Sequence, residues 1–151
     1  MIRIMFVCHG NICRSPMAEF VMRDLVEKAG LSKKIHIASS ATSQEEIGNG
    51  VHPGTRKILE ALSISCDGKR AVQLTKADYD TYDYIVAMDS WNLRNIGRII
   101  GEDSENKVSL LMDYAGGGEV ADPWYTGDFN TTYRDVLAGC QGLLTKIKKT
   151  L

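Results

Sequence analysis

The chain has 151 residues, with 18 Lys and Arg against 19 Asp and Glu, a formal net charge of −1. At 44% hydrophobic and 25% charged it has ordinary globular composition, and with no repeat or linker it is expected to form a single domain over 1–151. No basic stripe points to nucleic acid, and the four cysteines (8, 13, 66 and 140) form neither a secreted disulfide framework nor a paired zinc motif, so no metal is expected.

The opening MIRIMFVC is too short to span a membrane, and no small-residue cleavage site follows it. It reads as a buried strand over 2–7, in a cytoplasmic protein without a membrane partner. A helix is expected over 16–29, with Ser15 as N-cap, Pro16 at its first position and Gly30 at its stop. A second strand over 35–39 leads into a polar loop over 40–51, and Pro53 opens a helix to about 62. A short helix over 75–81 precedes a third strand over 84–88, and Ser90 is positioned to cap a helix through 100. A fourth strand covers 108–112, and after the Gly116–Gly118 run and Asp122-Pro123-Trp124 a final helix covers 131–149. Lys146, Lys148 and Lys149 there complement the helix dipole. Tyr79, Tyr82 and Tyr84 are expected to pack a helix on the sheet. Strands alternating with helices predict an α/β fold built on a mostly parallel sheet.

The segment that carries chemistry is Phe6-Val7-Cys8-His9-Gly10-Asn11-Ile12-Cys13-Arg14-Ser15-Pro16. It starts where a strand ends and finishes where a helix begins, the position at which open α/β sheets bind ligands. Five residues between Cys8 and Arg14 suffice to curl backbone N–H groups around a tetrahedral oxyanion above the helix N-terminus. Gly10 and Asn11 are residue types that accept the positive φ such a curl needs. Arg14 offers a planar fork for two phosphate oxygens, which lysine cannot match. Cys8 sits where the helix terminus and the guanidinium favour a thiolate, the form that acts as a nucleophile. Ser15 can both cap the helix and donate to the sulfur.

Transfer of a phosphoryl group from an ester also calls for a proton donor to the leaving oxygen. Asp89, Asp113, Asp122 and Asp128 are the candidates. Asp122 stands out because Pro123 stiffens the backbone and Trp124 and Tyr125 follow, able to exclude water and to stack on a substrate ring. An Asp-Pro turn explains the same tripeptide, and residue pattern alone leaves the two readings open.

The run CHGNICRSPMAE closely resembles the signature of low-molecular-weight protein tyrosine phosphatases. The resemblance extends to the N-terminal position of the loop, the chain length, the MDSWNLRNI segment and the late Asp-Pro-aromatic tripeptide. It implies a three-layer fold, with a four-stranded sheet covered by helices on both faces. It further implies Cys8 as nucleophile, Arg14 as phosphate ligand and Asp122 as general acid and base. His9, Gly10, Asn11, Ile12, Cys13, Arg14 and Ser15 become the phosphate-binding loop, with Trp124 and Tyr125 as pocket wall. Cys13 becomes the redox partner of Cys8, and Asp89 orients Arg14. The substrate implied is a phosphotyrosine protein or small aryl phosphate, with no cofactor, and the chain is a monomer or weak dimer.

Two departures bear on substrate preference. Gln44-Glu45-Glu46 stands where many members carry an aromatic, and a histidine that often supports the loop asparagine is replaced around Gly68. His36 and His52 are expected to be structural. A thiol-dependent arsenate reductase on the same fold would need two further relay cysteines in the second half, which holds only Cys140. A protein arginine phosphatase carries threonine where Ile12 stands, and a phosphate-binding module would not need the nucleophile.

Overall fold

A computed structural model describes residues 1–151. Strands β1 (Ile2–Cys8), β2 (Ile35–Ala41), β3 (Tyr84–Ala87) and β4 (Val108–Leu110) form one sheet in the order β2-β1-β3-β4, every pairing parallel. Strand β1 lies inside the sheet and is buried on both faces. Ile4, Phe6 and Cys8 point into one apolar cluster, Met5 and Val7 into the other, and none of the five is more than 4% exposed.

Helices α1 (Arg14–Lys28), α2 (Pro53–Ala61) and α6 (Phe129–Lys148) cover the first face, through residues such as Met17, Leu59 and Leu143. Helices α3 (Asp78–Thr81) and α4 (Ser90–Ile100) cover the second, through Tyr79, Ile96 and Ile100. This is the three-layer α/β arrangement that the alternating pattern and the resemblance implied. The chain leaves β1 towards β2 on one side and returns to β3 on the other. The loop after β1 therefore opens at the switch point of the sheet, where the loops after β3 and β4 can reach it. No helix is long and apolar enough to cross a membrane.

Several local expectations are corrected. Helix α1 begins at Arg14, with Cys13 in the capping position and no side-chain cap, because the Ser15 hydroxyl turns to the Cys8 sulfur instead. Helix α4 is capped by Asp89, not Ser90: Asp89 Oδ1 accepts from Asn92 N at 2.8 Å, and Asn92 Oδ1 accepts from Asp89 N at 3.2 Å. The fourth strand stops at Leu110, and Leu111–Ala115 winds into a 3₁₀ turn. Helix α6 starts at Phe129 because Asp128 caps it, and both Asp128 oxygens are taken up by Thr131, Oδ1 accepting from its N at 3.0 Å and Oδ2 from its Oγ1 at 2.7 Å, which removes Asp128 as a free acid. The three tyrosines do not form one cluster. Tyr79 and Tyr82 pack on the second face, Tyr84 on the first.

Helix α6 approaches that 3₁₀ turn closely enough to need glycine twice. A Cβ on Gly142 would lie 1.9 Å from the Tyr114 carbonyl oxygen, and one on Gly139 would lie 2.4 Å from Leu111 Cγ. We predict that Gly142→Ala destabilises the protein by about 1–3 kcal/mol through this overpacking, although alanine is the better helix former. Gly97→Ala in α4, where a Cβ meets nothing within 4 Å, should raise stability by ~0.5–1 kcal/mol. Urea unfolding of the two variants checks the pair, and an unshifted midpoint for Gly142→Ala would contradict the close approach.

Candidate active site

The loop from Cys8 to Arg14 is held by its carbonyls. Those of Cys8, His9, Ile12 and Cys13 accept from Thr42 N (3.0 Å), Ser43 N (3.0 Å), His52 N (2.9 Å) and Thr55 Oγ1 (3.0 Å) respectively. All four acceptors thus face the surrounding protein, while the amides of His9, Gly10, Ile12 and Cys13 donate to no protein group. Asn11 N donates to Cys8 Sγ at 3.3 Å, and Ser15 Oγ lies 3.0 Å from the same sulfur. The sulfur therefore sits at the floor of a ring of donors above the first turn of α1, a place that stabilises negative charge.

Asn11 takes the left-handed conformation the curl requires, with φ of 59°. Gly10 does not share it and is needed for a different reason. A Cβ there would meet Glu46 Cγ at 3.3 Å, so the 40–51 loop lies directly against the curl.

Arg14 is 2% exposed and ties its own loop to two others. Its Nη1 donates to Asp89 Oδ2 at 2.7 Å, after β3, and to the Val120 carbonyl at 2.9 Å, after β4, and Nη2 lies 3.5 Å from Asp122 Oδ2. Burial works against its charge, but the Cys8 sulfur, Asp89 and Asp122 outweigh it and hold the guanidinium pKa above the usual arginine value. Of its five N–H donors at most three are used here, which leaves a fork free for an oxyanion. Asp122 Oδ1 caps the short helix α5 (Pro123–Thr126) through Trp124 N, so the Asp-Pro turn and the pocket carboxylate are the same residue. Trp124 is steadied edge-on by His52, whose Nδ1 accepts from Gly54 N and whose ring stacks on Phe129. Asp113 accepts from Leu110 N and lies outside the pocket lining.

Behind the loop runs a chain of polar groups that residue spacing does not reveal. Asn11 Nδ2 donates to Ser15 Oγ (2.8 Å) and Ser39 Oγ (2.9 Å), and Asn11 Oδ1 accepts from Val72 N (3.2 Å). Ser39 donates to Glu19, a carboxylate 2% exposed that is paired with Arg23 (2.5 Å) and Lys69 (3.5 Å). The cation near the Gly68 turn is thus Lys69, which also donates to the Ser39 carbonyl at 2.9 Å. The only available signal was the Glu19–Arg23 spacing of one helical turn; Ser39 and Lys69 come from distant elements.

These residues frame a pocket of about 380 Å³. Cys8, Arg14 and Asp122 lie in its lining with His9, Gly10, Ile12 and Cys13, and Trp124 and Tyr125 stand at its mouth. Asn11 and Ser15, also assigned to the loop, stay behind the surface. Glu45 and Glu46 join the lining, and Glu45 Oε2 lies 2.9 Å from His9 Nε2. A larger groove of about 730 Å³, lined by Glu19, Arg23 and Lys69 among others, opens on the far side of the Asn11–Ser39 chain and has no cysteine in its lining.

The model of the low molecular weight phosphotyrosine protein phosphatase family matches residues 3–151. The chain belongs to this family. It is 42% identical to a low molecular weight protein-tyrosine-phosphatase of Bacillus subtilis, YfkJ, over 99% of this chain and 97% of that one. The crystal structure of YfkJ superposes with a TM-score of 0.96 and covers 99% of this chain and 96% of that chain. A low molecular weight phosphotyrosine protein phosphatase of Schizosaccharomyces pombe is likewise 42% identical, over 97% of each chain. The low molecular weight protein tyrosine phosphatase SP-PTP from Streptococcus pyogenes shares 44% identity at a TM-score of 0.88, covering 97% of this chain and 93% of that one. Within this phosphatase family fold, the Cys8 and Arg14 side chains face one cavity from the two ends of the same loop.

Proposed function

We propose that this protein-tyrosine phosphatase hydrolyses phosphotyrosine and small aryl phosphates in two steps, with Cys8 as nucleophile, Arg14 and the loop 8–15 as phosphate ligands, and Asp122 as general acid and base. The observation that carries the reading is the convergence in one pocket of the Cys8 sulfur, unpaired loop amides, the Arg14 fork and the Asp122 carboxyl group. The thiolate attacks phosphorus in line, and the bond to the phenolic oxygen breaks as Asp122 gives that oxygen a proton. The loop amides and Arg14 hold the equatorial oxygens, where charge is spread in the transition state. In the second step Asp122, now a carboxylate, takes a proton from water, whose oxygen displaces the Cys8 sulfur and releases phosphate.

The substrate ring enters between Trp124 and Tyr125, which are 59% and 84% exposed and so available to stack on it, and Ile12 offers an apolar contact below. That apolar contact favours an aryl group over a guanidinium. The rest of the reading is a cytoplasmic protein, supported by four free cysteines, acting as a monomer or weak dimer, since its own helices cover both faces of the sheet.

Cys13 is proposed as the redox partner of Cys8. Its thiol is pushed up to about 12, by burial first and then by repulsion from Cys8, so it keeps its proton at neutral pH and does not compete as a nucleophile. Once peroxide has converted Cys8 to a neutral sulfenic acid, that repulsion ends. The Cys13 sulfur can then displace hydroxide, which leaves as water, and form a disulfide that a dithiol reverses. Brief peroxide exposure followed by dithiothreitol should restore activity in the parent and much less of it in Cys13→Ser; equal recovery in both removes Cys13 from this role.

Asp122→Asn tests the reaction itself. General acid catalysis contributes about 10²–10⁴-fold, so phosphotyrosine hydrolysis should slow by a factor in that range. The loss should shrink as the leaving phenol becomes more acidic, because a good leaving group needs no proton. A constant loss across a series of aryl esters would mean that Asp122 only caps α5.

A further inference from the structure

The pocket mouth carries charge that the phosphoryl chemistry does not use. Among the eleven lining residues Arg14 is the one permanently cationic side chain, and it lies buried at the floor, directed at the phosphate position. The rim carries Glu45 and Glu46. Glu46 is held in place: its Cγ lies against Gly10, and Asn49 Nδ2 donates to its Oε2 at 2.6 Å. Glu45 is 70% exposed and partnered by His9, itself 49% exposed, so this carboxylate reaches solvent and can exchange its partner. The floor is electropositive and the rim is acidic.

A phosphotyrosine whose ring passes between Trp124 and Tyr125 leaves its own backbone, and the residues on either side, outside the mouth. Glu45 and Glu46 belong to the lining of that same pocket. We propose that these two carboxylates are specificity-determining residues that select phosphotyrosine segments flanked by Lys or Arg and disfavour segments flanked by Asp or Glu. The proposal rests on the phosphotyrosine reading above. An exposed pair is worth little in isolation, but two like charges at one rim act on the same encounter and on the docked peptide together. Placing Lys opposite Glu45 leaves His9 free to release its partner, whereas placing Glu there adds repulsion that no rim cation relieves.

The test uses three phosphotyrosine peptides that differ only in carrying Lys, Gln or Glu at the positions flanking the phosphotyrosine. Each kcat/KM is divided by that of the same protein on a small aryl phosphate. The parent should prefer Lys over Gln over Glu, with a spread of roughly 3–10-fold between the ends at low ionic strength, as expected for two exposed charge pairs. Raising salt to about 0.5 M should compress the spread. Glu45→Gln/Glu46→Gln should remove most of it, and the single variant Glu45→Gln, at an exposed site, gives an intermediate spread should the double variant fold poorly. Equal rates on the three peptides, or a preference for Glu, would overturn the rim proposal while leaving the phosphatase reading intact. Failure to hydrolyse both the peptides and the aryl phosphate would overturn the two together.

Discussion

Burial of one guanidinium organises this molecule. Arg14 is among the largest fully buried side chains, and a charge at that depth is costly unless it is paired and hydrogen-bonded. Asp89 and the Val120 carbonyl supply that match, and each comes from the loop after a different strand. Because Arg14 is also the first residue of α1, the same contacts fix where the helix starts and therefore where its unpaired amides point. The order of the sheet makes this possible. With β1 inside and β3 beside it, the segments carrying Asp89, Val120 and Asp122 all emerge at the end where the loop curls.

The curl needs a second set of constraints, since backbone left to itself would turn its carbonyls inward as readily as its amides. Residues of the 40–51 loop and the start of α2 draw four carbonyls outward, and the chain from Asn11 through Ser39 to Glu19 holds the left-handed residue from behind. Glu19 is a buried carboxylate stabilised by two cations and a hydroxyl, so disturbing Ser39 or Lys69 disturbs the loop without touching the pocket surface. Stability of the fold and shape of the site are in this respect the same property.

Much of this was readable in the residues. Alternating apolar segments marked four strands and the main helices, and Cys8-x5-Arg14 at a strand-to-helix junction marked the loop, because both signals are local in the chain, the first periodic and the second set by a fixed spacing. The errors fell where one side chain had two possible uses. Ser15 has the chemistry of an N-cap but spends its hydroxyl on the sulfur, and Asp89 caps α4 in place of Ser90 while its other oxygen serves Arg14. Gly10 serves close approach to Glu46 and not a positive φ. Ser39, Lys69 and the Val120 carbonyl were not legible at all: Ser39 reaches Asn11 from 28 residues away, the Val120 carbonyl reaches Arg14 from 106, and Lys69 supports Ser39 from 30, all from unremarkable local sequence. The acidic pair Glu45-Glu46 was visible as a departure, but its place at the pocket mouth follows from the turn that sets Glu46 on Gly10.

The central claim is that phosphoryl transfer passes through the Cys8 sulfur. Rapid mixing of the protein with excess phosphotyrosine peptide, quenching within the first turnovers and peptide mapping by mass spectrometry tests it directly. The account predicts a phosphoryl adduct on the protein fragment containing Cys8, formed at the rate at which the dephosphorylated substrate peptide is released and absent in Cys8→Ser. Turnover without that adduct in the parent, or an adduct carried by His9 in its place, would contradict it.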